Sequence, residues 1–372
     1  MSARVLVAMS GGVDSSVAAA LLAEQGYEVI GVAMRLAPDA APDATPRGGR
    51  RGTCCSHDDF EDARRVAERL DFPFYVIDLR TDFAARVIDN FVSEYLRGRT
   101  PNPCVMCNRE IKFDRLWERA AALRADYVAT GHYARIAGDR PNGLRLLRAV
   151  DDAKDQSYFL FNLGQRELAR TLFPLGAMTK QTVREHARRL GLANADKPES
   201  QEICFVPDGD YAGLVERAAH TNELRAGRII DDAGRMLARH PGIHHFTVGQ
   251  RRGLGVAAGE PLYVRAIDPA SGDVAISPRS GLTAAGLIAT RVNLVRPETA
   301  HCGEFAAEVK IRYRHRGIPA SIRLGESERA EVRFSDGGPA ITPGQACVFY
   351  RGDEVLGGGV IERALEGWGA EG

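Results

Sequence analysis

The sequence predicts an α/β protein: an N-terminal doubly wound parallel sheet, then a small central module, then a C-terminal β-barrel. Two patterns carry that expectation. As far as about residue 200, short apolar runs alternate with helix-like stretches, which calls for a parallel sheet covered on both faces and ligands beyond the carboxyl ends of its strands. Beyond Arg228, Gly, Pro and Asp punctuate short β-leaning runs, as in an antiparallel barrel or sandwich. At 372 residues the chain is too long for one ordinary domain, and limits are expected at 1–205, 206–280 and 281–372.

Val5–Met9 reads as the first strand, SGGVDSS as a tight loop, and Val13–Gly26, with Val17, Leu21 and Leu22 at helical spacing, as the first helix. Tyr27–Met34 is the next strand. Ala37–Gly52, rich in Pro, Asp, Arg and Gly, has no periodic face and reads as a flexible excursion. Asp58–Leu70, Phe83–Arg97 and Phe113–Arg124 are helical in pattern, interleaved with strand-like Phe74–Leu79 and Tyr127–Thr130. Tyr211–His220 offers one more helix. The later β-leaning runs are Leu262–Ile267, Leu287–Leu294, Ala306–Tyr313, Ala330–Phe334 and Ala346–Tyr350.

Forty-nine Lys and Arg balance 49 Asp and Glu, so no bulk basic field announces a polyanion and any such partner must be held by local patches. No apolar run is long enough for a membrane span, and the first residues lack the sections of a secretory signal. A cytoplasmic enzyme without membrane association is expected, with a monomer preferred. Seven cysteines, an odd number, argue for metal, redox or nucleophilic use rather than a secreted disulfide framework.

Ser10, Gly11, Gly12, Val13, Asp14, Ser15 and Ser16 join a strand to a helix. The glycines permit close backbone approach, the helix start offers amide donors, and the serine hydroxyls add more, which together suit phosphate. The Asp14 carboxylate would repel that phosphate unless a magnesium ion accepted both. The loop lacks the Lys and spacing of GxxxxGK[ST] and is not GxGxxG. Met34 ends an apolar strand and reads as core, close to the expected crevice.

In RTPNPCVMCNREIKF, Pro101 and Pro103 stiffen the entry, Cys104 and Cys107 stand at CxxC spacing, and Arg109 and Lys112 bring charge that lowers a thiol pKa or touches phosphate. Between Arg97 and Arg119 six basic residues face three acidic ones, a local patch. Cys204 lies in the loop-like PESQEICFVPDGD. Cys54 and Cys55, near His57, read as packing. For a polyanion, candidate contacts are Lys310, Arg312, Arg314 and Arg316, which share one face if their strand continues; Arg251 and Arg252 in GQRRGLG; and Lys154 and Gln156, with Asp155 turned away or coordinating indirectly.

The full set resembles the bacterial tRNA-specific 2-thiouridylase family, within the PP-loop ATP pyrophosphatase superfamily. Besides SGGVDSS, the matches are Ala129–Tyr133 (ATGHY), Lys154–Leu160 (KDQSYFL), Ile203–Phe205 (ICF), Phe246–Leu254 (FTVGQRRGL), Arg312–Tyr313, Pro343–Gln345 (PGQ) and Leu356–Gly359 (LGGG). The resemblance implies that ATP adenylates the 2-carbonyl oxygen of the wobble uridine in tRNA-Lys, tRNA-Glu and tRNA-Gln, and that a Cys204 persulfide delivers sulfur as AMP leaves. It implies a persulfide donor or relay protein as partner, and Cys107 as the second thiol, through a transient Cys107–Cys204 disulfide or a hydrosulfide intermediate. It places Ala8, Met9, Ser10, Gly11, Gly12, Val13, Asp14, Ser15, Met34 and Gly131 around ATP. It places Asn102, Pro103 and Cys104 at the base, and His132, Lys154, Asp155, Gln156, Arg312, Tyr313 and Gln345 on tRNA. Where the family often has Asp, this chain has Cys104, and a neutral thiol does not replace an ionised carboxylate. The alternative use of Cys104, Cys107 and Cys204 is as ligands of an iron–sulfur cluster with one iron left open, in a thiolase acting on this or another base.

Overall fold

The computed structural model describes residues 2–36, 57–139, 143–198, 203–206, 208–220 and 223–365. The excursion expected over 37–52, with Cys54 and Cys55, lies outside them. The chain forms two compact units, one of Met1–Val87, Cys104–Gly209 and Asp353–Val355, the other of Ile88–Pro103, Asp210–Gly352 and Leu356–Gly372.

The first unit is built on a parallel sheet. Its strands are β1 (Arg4–Ala8), β2 (Glu28–Arg35), β3 (Phe74–Asp78), β4 (Tyr127–Ala129) and β7 (Thr171–Leu172), in the order β3-β2-β1-β4-β7. Val5, Leu6 and Val7 on central β1 are fully buried on both faces, which explains the unbroken apolar run. Helix α1 (Val13–Glu24) buries Val17, Ala18, Ala19, Ala20, Leu21 and Leu22 and so is covered nearly all round. Each buried Val or Leu contributes about 1.5–3 kcal/mol of hydrophobic stabilisation. The chain runs from β1 to β2 and β3 on one side and returns to β4 and β7 on the other. That reversal opens a crevice at the carboxyl ends of β1 and β4, where SGGVDSS begins.

The helices of this region differ from expectation in where they start. Beyond α2 (His57–Arg69), the stretch expected at Phe83–Arg97 starts at Arg80, as α3 (Arg80–Phe83), a π-helical turn Ala84–Ile88 and α4 (Asp89–Leu96). The helix expected from Phe113 starts ten residues earlier, as α5 (Pro103–Met106), a π-helix Cys107–Phe113 and α6 (Asp114–Ala122). Pro103 sits at the head of that run, where its missing N–H costs nothing. An unexpected hairpin, β5 (Ala134–Asp139) with β6 (Gly143–Arg148), is extended by Glu354 and Val355. After α7 (Gln165–Leu168) and β7, helix α8 (Lys180–Arg189) packs Val183 and Ala187 into the core that holds α1.

In the second unit, α9 (Tyr211–Ala218) lies beside α4, with Phe91 against Tyr211. A four-stranded sheet, ordered β10-β11-β8-β9, comprises β8 (Gly227–Ile230), β9 (Met236–His240), β10 (Leu262–Ile267) and β11 (Val274–Pro278). Six strands then close a barrel: β12 (Ala284–Leu294), β13 (Glu304–Lys310), β14 (Ile318–Leu324), β15 (Ala330–Gly338), β16 (Ala346–Arg351) and β17 (Glu354–Leu365), in the order β12-β15-β14-β13-β16-β17 with β17 returning to β12. Inward residues such as Leu287, Val309, Ile322, Val332, Phe349 and Ile361 fill it, and closure removes unpaired strand edges. The strand expected over Ala306–Tyr313 ends at Lys310, so Arg312, Arg314 and Arg316 lie on the following turn and share no strand face. Among the described residues no helix is long and apolar enough to cross a membrane.

Candidate active site

The turn after β1 is held by its own atoms. Gly11 has φ +72°, and a Cβ there would lie 2.2 Å from the Asp59 carbonyl oxygen of α2, so only glycine fits. Ser15 Oγ accepts from the Ser10 amide at 3.1 Å and lies 3.1 Å from the Gly12 carbonyl; Ser16 Oγ donates to the same carbonyl at 3.0 Å. The Ser15 and Ser16 hydroxyls thus brace the loop from within. Gly12, the N-cap of α1, supplies no side-chain acceptor for the first-turn amides, and a Cβ built on it meets only Ser10 Oγ, at 3.5 Å. Backbone donors, the helix dipole and open room together make an anion seat.

Asp14 is engaged from two sides. Lys180 Nζ donates to its carboxylate oxygens at 2.7 and 2.8 Å, and Tyr133 Oη donates at 2.8 Å. The ammonium offsets the negative charge beside the anion seat, a task that sequence reasoning gave to magnesium alone. Lys180 is itself placed by its amide, which donates to Asp151 at 2.9 Å, while the Tyr133 amide donates to Gln156 Oε1 at 3.0 Å. Gly131 explains how β4 comes so close: a Cβ there would be 2.7 Å from the Ser15 nitrogen and 2.9 Å from the Asp14 carbonyl carbon. Behind the loop, buried Asn194 donates to the Gly11 carbonyl at 3.0 Å and to Ser16 Oγ at 2.9 Å. Lys197 donates to Asp59 and Asp62 of α2 at 2.7 and 2.6 Å. Neither Lys180, Asn194 nor Lys197 was singled out from sequence.

Of the other nucleotide candidates, Ala8 ends β1, Met9 and Val13 are buried, and Met34 is buried at the end of β2. Asp155 turns inward, accepting from the Ala149 and Ser157 amides and the Ser157 hydroxyl, so its carboxylate organises a buried turn. Lys154 is half-buried. His132 lies against Phe113 and Phe173, its Nδ1 2.7 Å from Thr130 Oγ1. Burial, helped by the Lys112 charge, pushes its pKa down to about 3, so the imidazole is neutral and a poor base.

Cys104 is exposed, Cys107 is buried at the head of the π-helix, and Cys204 is half-buried in a turn braced by the edge-on contact of Phe205 with Phe83. Beside Cys107, Asn108 donates to the Phe159 carbonyl at 3.2 Å and ties the π-helix to the KDQSYFL segment. Among the described residues, Glu216, His244 and His245 have ligand atoms that converge within 4.8 Å. Cys347 lies inside the barrel, where burial pushes its thiol up to about 12 and keeps it inert.

Within the second unit, Gln345 Nε2 donates to the Thr100 and Pro101 carbonyls at 2.8 and 3.3 Å and so holds the backbone that leads to Asn102 and Pro103. Arg312 is exposed and Tyr313 half-buried on the turn after β13, while Arg251 and Arg252 are exposed on the GQRRGLG loop.

Three family models match consecutive stretches: the tRNA methyl transferase HUP domain over residues 3–208, the tRNA methyl transferase PRC-barrel domain over 218–278 and the aminomethyltransferase beta-barrel domain over 284–361. The tRNA-specific 2-thiouridylase MnmA of Geotalea uraniireducens is 54% identical over 364 residues, covering 97% of this chain and 96% of that protein. The protein of the same name from Geobacter metallireducens is 52% identical, covering 97% of each. A solved 4-thiouridine synthetase–RNA complex with bound ATP aligns at TM-score 0.36 and 16% identity, over 58% of this chain and 53% of that one.

Proposed function

The chain belongs to the tRNA-specific 2-thiouridylase family, and from that premise we propose how its own residues divide the work of an ATP-dependent tRNA-uridine 2-sulfurtransferase. The observation that carries the reading is the length of the match: 364 aligned residues at 54% identity take in the anion seat, both cysteine segments and the barrel together.

The substrate is the wobble uridine of tRNA-Lys, tRNA-Glu and tRNA-Gln, which leaves the anticodon stack to enter the site. Its 2-oxygen attacks the α-phosphorus of ATP, and pyrophosphate departs. The α1 amides bind the phosphates, Gly11 and Gly12 let the backbone approach, and Lys180 keeps Asp14 from repelling them. Asp14 retains carboxylate lone pairs beyond those used by Lys180 and Tyr133, so it suits a hydrated magnesium ion, which when bound neutralises further phosphate charge.

In the second step the outer sulfur of a Cys204 persulfide attacks C2, and the bond from C2 to oxygen breaks with AMP as leaving group. The Cys107 thiolate then attacks the inner sulfur of Cys204, releasing 2-thiouridine and leaving a Cys107–Cys204 disulfide. An external thiol reduces that disulfide, and a persulfide donor or relay protein recharges Cys204. Cys104, Asn102 and Pro103 meet the base. His132, Lys154, Gln156, Arg312 and Tyr313 meet the tRNA, and Gln345 acts through the Thr100–Pro101 backbone it holds. Protein, ATP, magnesium, a persulfide donor and purified tRNAs provide the test, with pyrophosphate release and nucleoside mass spectrometry as readouts. Thiolation of another base with none at the wobble uridine rejects the substrate. Iron and acid-labile sulfide that rise and fall with activity replace the persulfide route by the iron–sulfur one.

A further inference from the structure

We propose that Glu216, His244 and His245, in the second unit, form a binding site for a zinc-class divalent metal ion with a fourth position left open. Glu216 comes from α9, and the two histidines from the 3₁₀ turn Ile243–His245 that packs against it. The Glu216 Oε1 atom lies 3.3 Å from His244 Nε2 and 3.2 Å from His245 Nε2, and all three ligand atoms fall within 4.8 Å of one another. Tetrahedral zinc with nitrogen and oxygen ligands at about 2.0–2.1 Å requires ligand-to-ligand separations of about 3.3 Å.

The His245 contact is the telling one. Its Nε2 is buried and within 3.2 Å of a carboxylate oxygen, yet the two atoms do not have the alignment of a hydrogen bond. Atoms that close and not aimed at each other suit a common third point. The His244 ring is 3% exposed, lies 4.3 Å from the His245 ring and directs its Nε2 at Glu216 Oε1, with which it is hydrogen-bonded at 3.3 Å. Gly242 makes room for it, since a Cβ there would come within 2.2 Å of the ring. Two imidazoles and one carboxylate form a borderline donor set that prefers zinc over magnesium or calcium.

The test uses the full-length chain with its cysteines alkylated, so that thiolates do not compete, and cobalt(II) as a coloured substitute for zinc. One equivalent should bind with visible ligand-field bands, and zinc should raise the melting temperature. Because His244 is buried, the more accessible partners carry the comparison: Glu216→Gln and His245→Gln should each weaken cobalt binding at least about tenfold. His220→Gln, an exposed histidine outside the group, should leave it unchanged. Bands that persist unaltered in both Glu216→Gln and His245→Gln overturn the proposal, as does wild-type protein that neither shows the bands at millimolar cobalt nor melts higher with zinc.

Discussion

Lys180→Met keeps the length of the side chain and removes its charge. In the wild type the ammonium reaches both oxygens of Asp14, at 2.7 and 2.8 Å, with the two side chains only 12% and 29% exposed, so solvent screens the pair less than a surface bridge. A hydrogen bond to a charged group contributes about 1.5–3 kcal/mol, and removing one partner leaves the other underpaired. Here the underpaired group is a carboxylate next to the phosphate seat. A loss of about 2–3 kcal/mol corresponds to a fall of about 30- to 150-fold in kcat/KM for ATP. Pyrophosphate release at saturating tRNA and varied ATP measures it. The double variant Asp14→Asn with Lys180→Met should be less impaired than the product of the two single effects, because once the carboxylate is neutral the ammonium has less to offset. Wild-type kcat/KM in Lys180→Met, or strict additivity in the cycle, would refute the reasoning.

Three further outcomes are expected. Gly131→Ala drives a methyl to within 3 Å of the α1 backbone and should cut ATP-dependent pyrophosphate release about five- to 150-fold, from an overpacking cost of roughly 1–3 kcal/mol; unaltered ATP kinetics would contradict the geometry. Cys204→Ser should abolish sulfur transfer, since a hydroxyl holds no persulfide, while pyrophosphate release and tRNA binding persist; full thiolation would remove Cys204 from the mechanism. The third concerns acid stability. The folded pKa of His132 is about 3 against 6.5 for the free group, so the unfolded chain takes up a proton in that window and the folded one does not. The contribution of neutral His132 is complete above pH 6.5 and is lost as pH falls toward 3. Chemical denaturation at a series of pH values should therefore give a flatter acid limb for His132→Phe, and parallel limbs would count against it.

The strands β1 to β4 and helix α1 were legible because their apolar runs have no other use, and SGGVDSS marked the crevice by its position between them. The hairpin β5–β6 was not, since its strands carry arginines and glycines and its burial comes partly from Glu354 and Val355, some two hundred residues on. The same limit hid the partners of Asp14 and Gly11: Lys180 and Asn194 are brought back by α8 and its exit, and no local pattern sets a lysine at a helix start apart from any solvated one. For Arg312, Arg314 and Arg316 the alternation of charge was real, but β13 ended before it. The thiols stand between these cases. CxxC spacing drew attention to Cys104 and Cys107, while their opposite exposure follows from a helix whose start was placed ten residues late.

The wide turn over Cys107–Phe113 takes up more residues than an α-helix needs for the same rise, as though one residue had been slipped into the coil. Each residue advances a helix by about 100°, so that surplus swings Cys104 and Val105 around the axis relative to α6. Shortening the segment by one residue would restore ordinary winding and tighter bonding, and would send the Cys107 sulfur toward a different neighbour. The direction in which Cys107 leaves the helix therefore depends on that wider winding.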